Sequence, residues 1–420
     1  MSAAVLCIGT ELTRGELVNS NASWLAERLT AIGLEVIALD CVDDDRARIE
    51  AALRRVSEQS ATVICTGGLG PTTDDITTEC AARVADVGLR RDPGALAHIE
   101  RLLSRVGRRM ADSNAKQADF PEGASIIENP NGTAPGFALR LGRAIAYFLP
   151  GVPREMKAMF EASVAPALAA LVEEPRHQVI LRTFGLPEAE VNDRLRGVEA
   201  AHGVLLGYRA TLPEIEVKVL GRGPTASAAR ELAERAADEV RSRLGDHVFA
   251  EGATTLPELV GRLLEARALT LAVAESCTGG LAADLVTRAP GASRYFRGGA
   301  VTYADSAKHA LLGVPEATLR EHGAVSESVA RAMAEGVRER LATDYGLAFT
   351  GIAGPSGCSE EKPVGLVHYA LAGPGETLLR QRVFFGGRQD VRRRAVFAGL
   401  DLLRRKLQGL SVEPASPGPR

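Results

Sequence analysis

No apolar run in this sequence approaches the roughly 20 residues that a membrane-spanning helix requires, so no membrane association is expected. No CxxC pair joins the six cysteines (Cys7, Cys41, Cys65, Cys80, Cys277 and Cys358), and four of them lie in or beside apolar runs. Reduced thiols and a cytoplasmic location are therefore expected. The seven histidines show no metal-ligand spacing, which argues against a zinc site. A long basic run is also missing, and 50 Lys+Arg against 53 Asp+Glu leave a formal charge of −3. Binding to nucleic acid needs a basic footprint, so nucleic acid is not expected as the main partner. The N-terminus, MSAAVLCIGTEL, has no charged n-region and enters a strand within a few residues, so no signal peptide is expected. Tandem repeats are absent.

What is present is a globular composition, 45% hydrophobic and 25% charged. The 420 residues exceed one ordinary core, which implies two or three domains. Residues 1–170 alternate apolar strands (AAVLCIG, LEVIALDCV, ATVICTGG) with amphipathic helices (NASWLAERLTAIG, RARIEAALRRVSEQ). Such alternation implies a parallel sheet with helices on both faces and ligands at the carboxyl ends of the strands. Residues 171–250 read as a small α+β module: a strand HQVILRTFG, a helix PEAEVNDRLRGVEA, two strands about Leu212-Pro213, and the helical run TASAARELAERAADEVRSRLG. A KH-like arrangement is compatible with this order, but the acidic helix 228–239 lacks the basic clamp of nucleic-acid binding. A third unit, 251–410, opens with Thr255-Leu256-Pro257-Glu258, a capping box with proline in the first turn. The Pro/Ser-rich tail, 411–420, is expected to be disordered.

Chemistry concentrates at strand ends. In LTLAVAESCTGGLAADL the apolar strand breaks at Glu275-Ser276-Cys277-Thr278-Gly279-Gly280 and resumes as a helix. Ser276 is expected at the helix N-terminus, where free N–H groups and the dipole suit a nucleophile and its oxyanion. Gly279 and Gly280 are expected to permit close approach of backbone or substrate. The ordinary alternative is a serine that only caps the helix. GGAVTYADSAKHALLG supplies Tyr303 and Lys308, a lysine able to activate a serine if desolvated, or a solvated surface lysine. FTGIAGPSGCSEEKPVG carries Thr350, Gly351, Ala353 and Gly354 in a loop that can present backbone donors. FFGGRQDVRRRA places Arg388 before a helix and Arg392 in its first turns, suited to phosphate or to a solvated face.

In the first unit, CTGGLGPTTDDITTE joins a glycine-rich strand end (Gly67, Gly68, Gly70) to a helix start bearing Asp74 and Asp75. The glycines can cradle a phosphate and the aspartates can hold a divalent metal on a pyrophosphate. Alternatively, the aspartates merely charge-stabilise the helix.

AESCTGG, VTYADSAK, HGAVSE, TGIAGPSGCSEEKPVG and GGRQDVRRRA, in this order and spacing, resemble the C-terminal domain of the CinA family of nicotinamide mononucleotide deamidases. The resemblance implies Ser276 as nucleophile, Lys308 as its base and Tyr303 as an assisting or orienting group. Cys277, Thr278, Gly279, Gly280, Thr350, Gly351, Ala353, Gly354, Arg388 and Arg392 then surround the substrate. The implied reaction converts nicotinamide mononucleotide to the nicotinate nucleotide and ammonia through an acyl-enzyme, without a cofactor. Ser356 stands where the family usually has Asp, and Cys358 where it usually has Gly.

GTELTRGELVNSNASWLAERL, NAKQADFPEGA, NPNGTAPGF and LPGVPREM resemble the family's N-terminal half, a relative of the molybdopterin-binding fold. That implies a nucleotide site with Glu11, Asn21, Gly132, Thr133 and Ala134 beside Gly67, Gly68 and Gly70. It also implies ADP-ribose pyrophosphatase activity with a divalent metal (Mg, Co or Ni) on Asp74 and Asp75, aided by potassium. The expected fold is thus α/β: a molybdopterin-binding-like sandwich, a KH-like α+β connector and an α/β CinA domain, in a homodimer. The alternatives are one activity with an N-terminal domain that only binds nucleotide, or a competence-related adaptor for DNA or a recombinase.

Overall fold

The computed structural model describes residues 1–412 except Val106, Arg108 and Glu173. Of the tail expected to be disordered, residues 413–420 lie outside the described residues. Packing divides the chain into two compact units, Met1–His177 with Gly221–Glu231, and Gln178–Leu220 with Leu232 onward. Most of the expected connector thus groups with the C-terminal domain.

The first unit is built on a six-stranded sheet in the order 35–42, 2–8, 62–66, 144–149, 136–141, 125–127. The first four strands run parallel. The last two are antiparallel, because only Gly142 and Arg143 separate Leu141 from Ala144 and a turn that short closes a hairpin. The continuous apolar run AAVLCI reflects burial on both faces of a central parallel strand. Ala4, Leu6 and Ile8 pack with Ile49, Leu53, Val56 and Phe148. Ala3, Val5 and Cys7 pack on the other face with Leu25, Leu29 and Phe160.

The KH-like module, most of which falls in the second unit, has strands Arg176–Phe184, Leu205–Thr211, Glu214–Arg222 and Val248–Glu251 and helix Ala226–Leu244. The helix expected over PEAEVNDRLRGVEA is two short ones, Glu188–Arg194 and Val198–His202. Gly197, with φ of 87°, breaks it. Arg182 lies buried between Glu214 at 3.0 Å and Glu216 at 3.3 Å. Burial holds the Glu214 carboxyl above the usual range despite that arginine.

The C-terminal domain opens with helix Leu256–Glu265. Its capping box is formed: Glu258 N–H donates to the Thr255 hydroxyl (3.4 Å) and Thr255 N–H to the Glu258 carboxylate (2.8 Å). Its sheet has the order 296–301, 271–275, 345–351, 366–373, 376–383. The first three strands are parallel and the last two antiparallel. Strand Leu271–Glu275 is wholly buried, with Leu271 and Val273 facing one core and Ala272 and Ala274 the other. Among the described residues, no helix is long and apolar enough to cross a membrane. All six cysteines are unpaired; Cys7, Cys65, Cys80 and Cys277 are buried.

Candidate active sites

The parallel pairing sets the C-terminal site. Glu275 aligns with Val301 on one neighbouring strand and Phe349 on the other. One residue on, Ser276 N–H donates to the Phe349 carbonyl (3.0 Å) and Thr302 N–H to the Glu275 carbonyl (2.7 Å). Ser276 therefore leaves the sheet between Thr302-Tyr303 and Thr350-Gly351, at the carboxyl ends of three parallel strands.

Two arginines tie these segments together. Arg388, the first residue of helix Arg388–Gln408, donates to the Tyr303 hydroxyl (2.8 Å) and to the Gly354 carbonyl (2.7 Å). Arg392 directs Nε (3.0 Å) and Nη2 (2.7 Å) onto the Thr278 carbonyl. Thr350 donates to the Ala324 carbonyl at 2.6 Å, which brings in HGAVSE. All five segments that carry the resemblance meet here. Ala353 is buried beside them, while Ser356 and Cys358 are exposed further along the loop.

Several expectations need correction. Ser276 is not at the helix N-terminus: Gly280 is the N-cap, and the helix begins at Leu281. The N–H groups at that terminus are not free either. The Glu275 carboxylate, fully buried, accepts from Gly280 (2.9 Å), Ala282 (3.0 Å) and Ala283 (2.9 Å). No other part of the described backbone approaches Gly279 or Gly280 closely. A Cβ there would meet its nearest atoms at 3.5 and 3.7 Å, ordinary contact. Glycine is required by φ of 59° and 94°, which side chains disfavour.

Ser276 is only 8% exposed, and its hydroxyl makes no hydrogen bond among the described residues. Lys308, in the first turns of helix Asp305–Leu312, is buried at 1% exposure, so it is not a surface lysine. It does not hydrogen-bond to Ser276. Its amine donates to the Tyr303 carbonyl and the Asp305 carboxylate, each at 3.3 Å. Tyr303 is largely exposed, and its hydroxyl serves Arg388 rather than Ser276. Cys277 is buried, which pushes its thiol up to about 12 and keeps it uncharged near neutral pH. The hydroxyls of Thr278 and Thr302 are buried without a hydrogen-bond partner among the described residues.

In the first unit the strand ends open onto a cavity of about 560 Å³. Glu11, Gly67, Gly68, Gly70, Asp74, Asp75, Thr133 and Ala134 all line it. Asn21 lines an adjoining cavity of about 210 Å³ that shares Glu11 and Gly151. Its amide donates to the Gly151 carbonyl (2.8 Å), and its side-chain oxygen is buried without a partner among the described residues. Gly70 and Gly132 allow close approach, since a Cβ on either would collide with the carboxylate of Asp75 or Glu155. Thr72 bridges both aspartates with its hydroxyl. Together with Lys116 nearby, that hydrogen bond holds the Asp74 carboxyl below the usual range.

Sequence reasoning missed Asp44, Gln117 and Glu155, which also line the cavity. Asp44 accepts from the Thr10 N–H and hydroxyl, both at 2.8 Å. Asn129 donates to Glu155 at 2.6 Å. The signal for Glu155 was its place in PGVPREM, directly after a strand whose carboxyl end lies on the same edge. Among the described residues, no group of three or more His, Cys, Asp or Glu can hold a metal unaided. Asp74 and Asp75 thus offer at most a partial shell, which suits an ion completed by substrate phosphates and water.

Family models match all three parts of the chain: a probable molybdopterin binding domain over 4–170, a damage-inducible protein CinA KH domain over 178–250, and a CinA C-terminal domain over 253–407. A CinA-like protein of Anaeromyxobacter sp. (strain Fw109-5) is 46% identical over 407 residues, covering 96% of this chain and 98% of that protein. A CinA-like protein of Desulfosudis oleivorans is 44% identical over 97% of this chain and all of that one (100%). The crystal structure of the protein CinA from Thermoplasma acidophilum, whose function is described as unknown, is 38% identical. It covers 39% of this chain and 96% of that one, with a TM-score of 0.37.

Proposed function

From the premise that this chain belongs to the CinA family, which suggests a hydrolase-type enzyme, we propose that its C-terminal domain deamidates nicotinamide mononucleotide. The observation that carries this reading is the strand register. Ser276, whose hydroxyl makes no hydrogen bond among the described residues, leaves the sheet between the Tyr303 and Gly351 segments, and the fully buried Lys308 follows within the first of these. The serine oxygen attacks the carboxamide carbon and its proton passes to the Lys308 amine in its uncharged form. The tetrahedral intermediate collapses, ammonia leaves with a proton returned by Lys308, and water then hydrolyses the ester. For that sequence Lys308 must turn from Asp305 toward Ser276 when substrate binds. Catalytic hydrogen bonds of this kind commonly tighten only in the complex. Arg388 and Arg392 lie beside the site as cations for the nucleotide phosphate.

The N-terminal cavity supports a second activity on a pyrophosphate such as ADP-ribose. Five carboxylates (Glu11, Asp44, Asp74, Asp75 and Glu155) line it, and among the described residues neither lysine nor arginine does. A polyanion would be repelled there unless a divalent cation came with it. Asp74 and Asp75 would hold that ion, and it would neutralise charge developing on the phosphates.

Ammonia release from nicotinamide mononucleotide by chelator-treated protein tests the first activity. Ser276→Ala should abolish it while sparing metal-dependent AMP formation from ADP-ribose. Deamidation by Ser276→Ala near the wild-type rate removes the serine from the mechanism.

A further inference from the structure

The carboxylate of Glu275 takes up donors that an oxyanion would otherwise use. From Ser276 to Asp284 the backbone N–H groups can be followed one by one. Ser276 donates to Phe349, Gly279 to Ser276, Leu281 to Thr278 and Asp284 to Gly280. Gly280 and Ala282 donate to one oxygen of Glu275 and Ala283 to the other. Of this stretch, only Cys277 and Thr278 have N–H groups that donate to no other residue among those described, the Cys277 N–H facing its own sulfur. They are the two that directly follow the nucleophile.

We infer that Glu275 is a positioning residue. It locks the head of helix Leu281–Thr287 onto the end of its own strand and so aims the Cys277 and Thr278 N–H groups as the oxyanion donors. The inference rests on the serine nucleophile proposed above. Three features converge on it. Glu275 is completely buried and, among the described residues, has no charged partner by hydrogen bond or ion pair, its three hydrogen bonds all coming from backbone N–H groups. Its own carbonyl accepts from Thr302, which joins the clamp to the Tyr303 segment. On the far side of the loop, the Thr278 carbonyl accepts from Leu281 N–H (3.2 Å) and from the Arg392 fork. Engaging the carbonyl of the Thr278–Gly279 peptide fixes the plane that follows the Cys277 and Thr278 N–H groups. The turn between is thus held at both ends.

The test is E275Q in the full-length protein. Glutamine keeps the shape but sets an NH₂ group against at least one of the three N–H donors. We expect kcat for ammonia release to fall about ten- to hundred-fold, short of the roughly 10²- to 10³-fold cost of removing one oxyanion donor outright, with KM within about twofold. Labelling of Ser276 by a fluorophosphonate should slow in parallel, and amide exchange across residues 276–287 should speed up. An E275Q protein with wild-type kcat and wild-type labelling overturns the inference. So does a loss confined to KM. If E275Q does not fold, E275D carries the same test, since it keeps the charge and shortens the reach by one carbon. A wild-type protein that is labelled at Ser276 but releases no ammonia overturns the substrate assignment instead, and slower labelling of E275Q would still support the clamp.

Discussion

Replacing Lys308 by methionine separates the chemistry of the C-terminal site from its stability. Methionine fills nearly the same volume in a position that is 1% exposed, so little cavity forms. Among the described residues the amine makes two hydrogen bonds, both at 3.3 Å. Asp305, its ionic partner, has a side chain 58% exposed, so losing the lysine returns that carboxylate to water and leaves no buried charge behind. The expected stability change is therefore within about 1 kcal/mol. Loss of a general base costs about 10²- to 10⁴-fold in kcat, or about 2.7–5.4 kcal/mol in the barrier at 1.36 kcal/mol per decade. Steady-state ammonia release and a chemical-denaturation curve on the same preparation measure both quantities. A variant that keeps kcat within threefold, or loses rate only through KM, refutes the role of Lys308 as base.

Asp75→Asn should weaken the metal dependence of AMP formation from ADP-ribose and leave ammonia release unchanged; an equal loss in both assays contradicts independent sites. His247 should shape the acid limb of stability. Burial lowers its affinity for protons, and its Nδ1 lies 3.0 Å from the Phe184 carbonyl. Below about pH 6.5, the ordinary imidazole value, the unfolded chain binds a proton that the folded one refuses, so stability falls as pH drops. His368 is shifted the same way. His247→Gln should flatten the decline in Tm between about pH 7 and 5, and an unchanged slope would refute this.

The elements were legible where local pattern and tertiary environment agree. Strand Leu271–Glu275 is apolar throughout because it is buried throughout, and the capping box at Thr255 closes within four residues. Hidden features depend on what lies across space. Glu275 ends an apolar run and reads as the first polar residue of a loop; only the folded backbone shows it turning to the helix head. Lys308 could not be told from a solvated lysine, since neighbouring Asp305, Ser306 and His309 give its helix a polar appearance. Asp44 sits in the acid run Asp43-Asp44-Asp45, where Asp45 caps the next helix and nothing local marks its neighbour as a cavity residue. The antiparallel Gly136–Leu149 hairpin was masked by the stronger strand–helix alternation before it.

Arg404 is buried at 2% exposure and donates to the Asp246 carbonyl at 2.9 Å, and the Phe184 and Phe397 rings lie 6.2 Å apart. Arg182 donates to the Ala253 carbonyl, and Leu256 N–H reaches Glu214. A fragment cut at residue 251 would therefore uncap a guanidinium, bare an aromatic face and strip a carboxylate from the first turn of helix Leu256–Glu265. For expressing the CinA C-terminal domain alone, the sound excision point is ahead of Gln178, with the KH-like module retained as its scaffold.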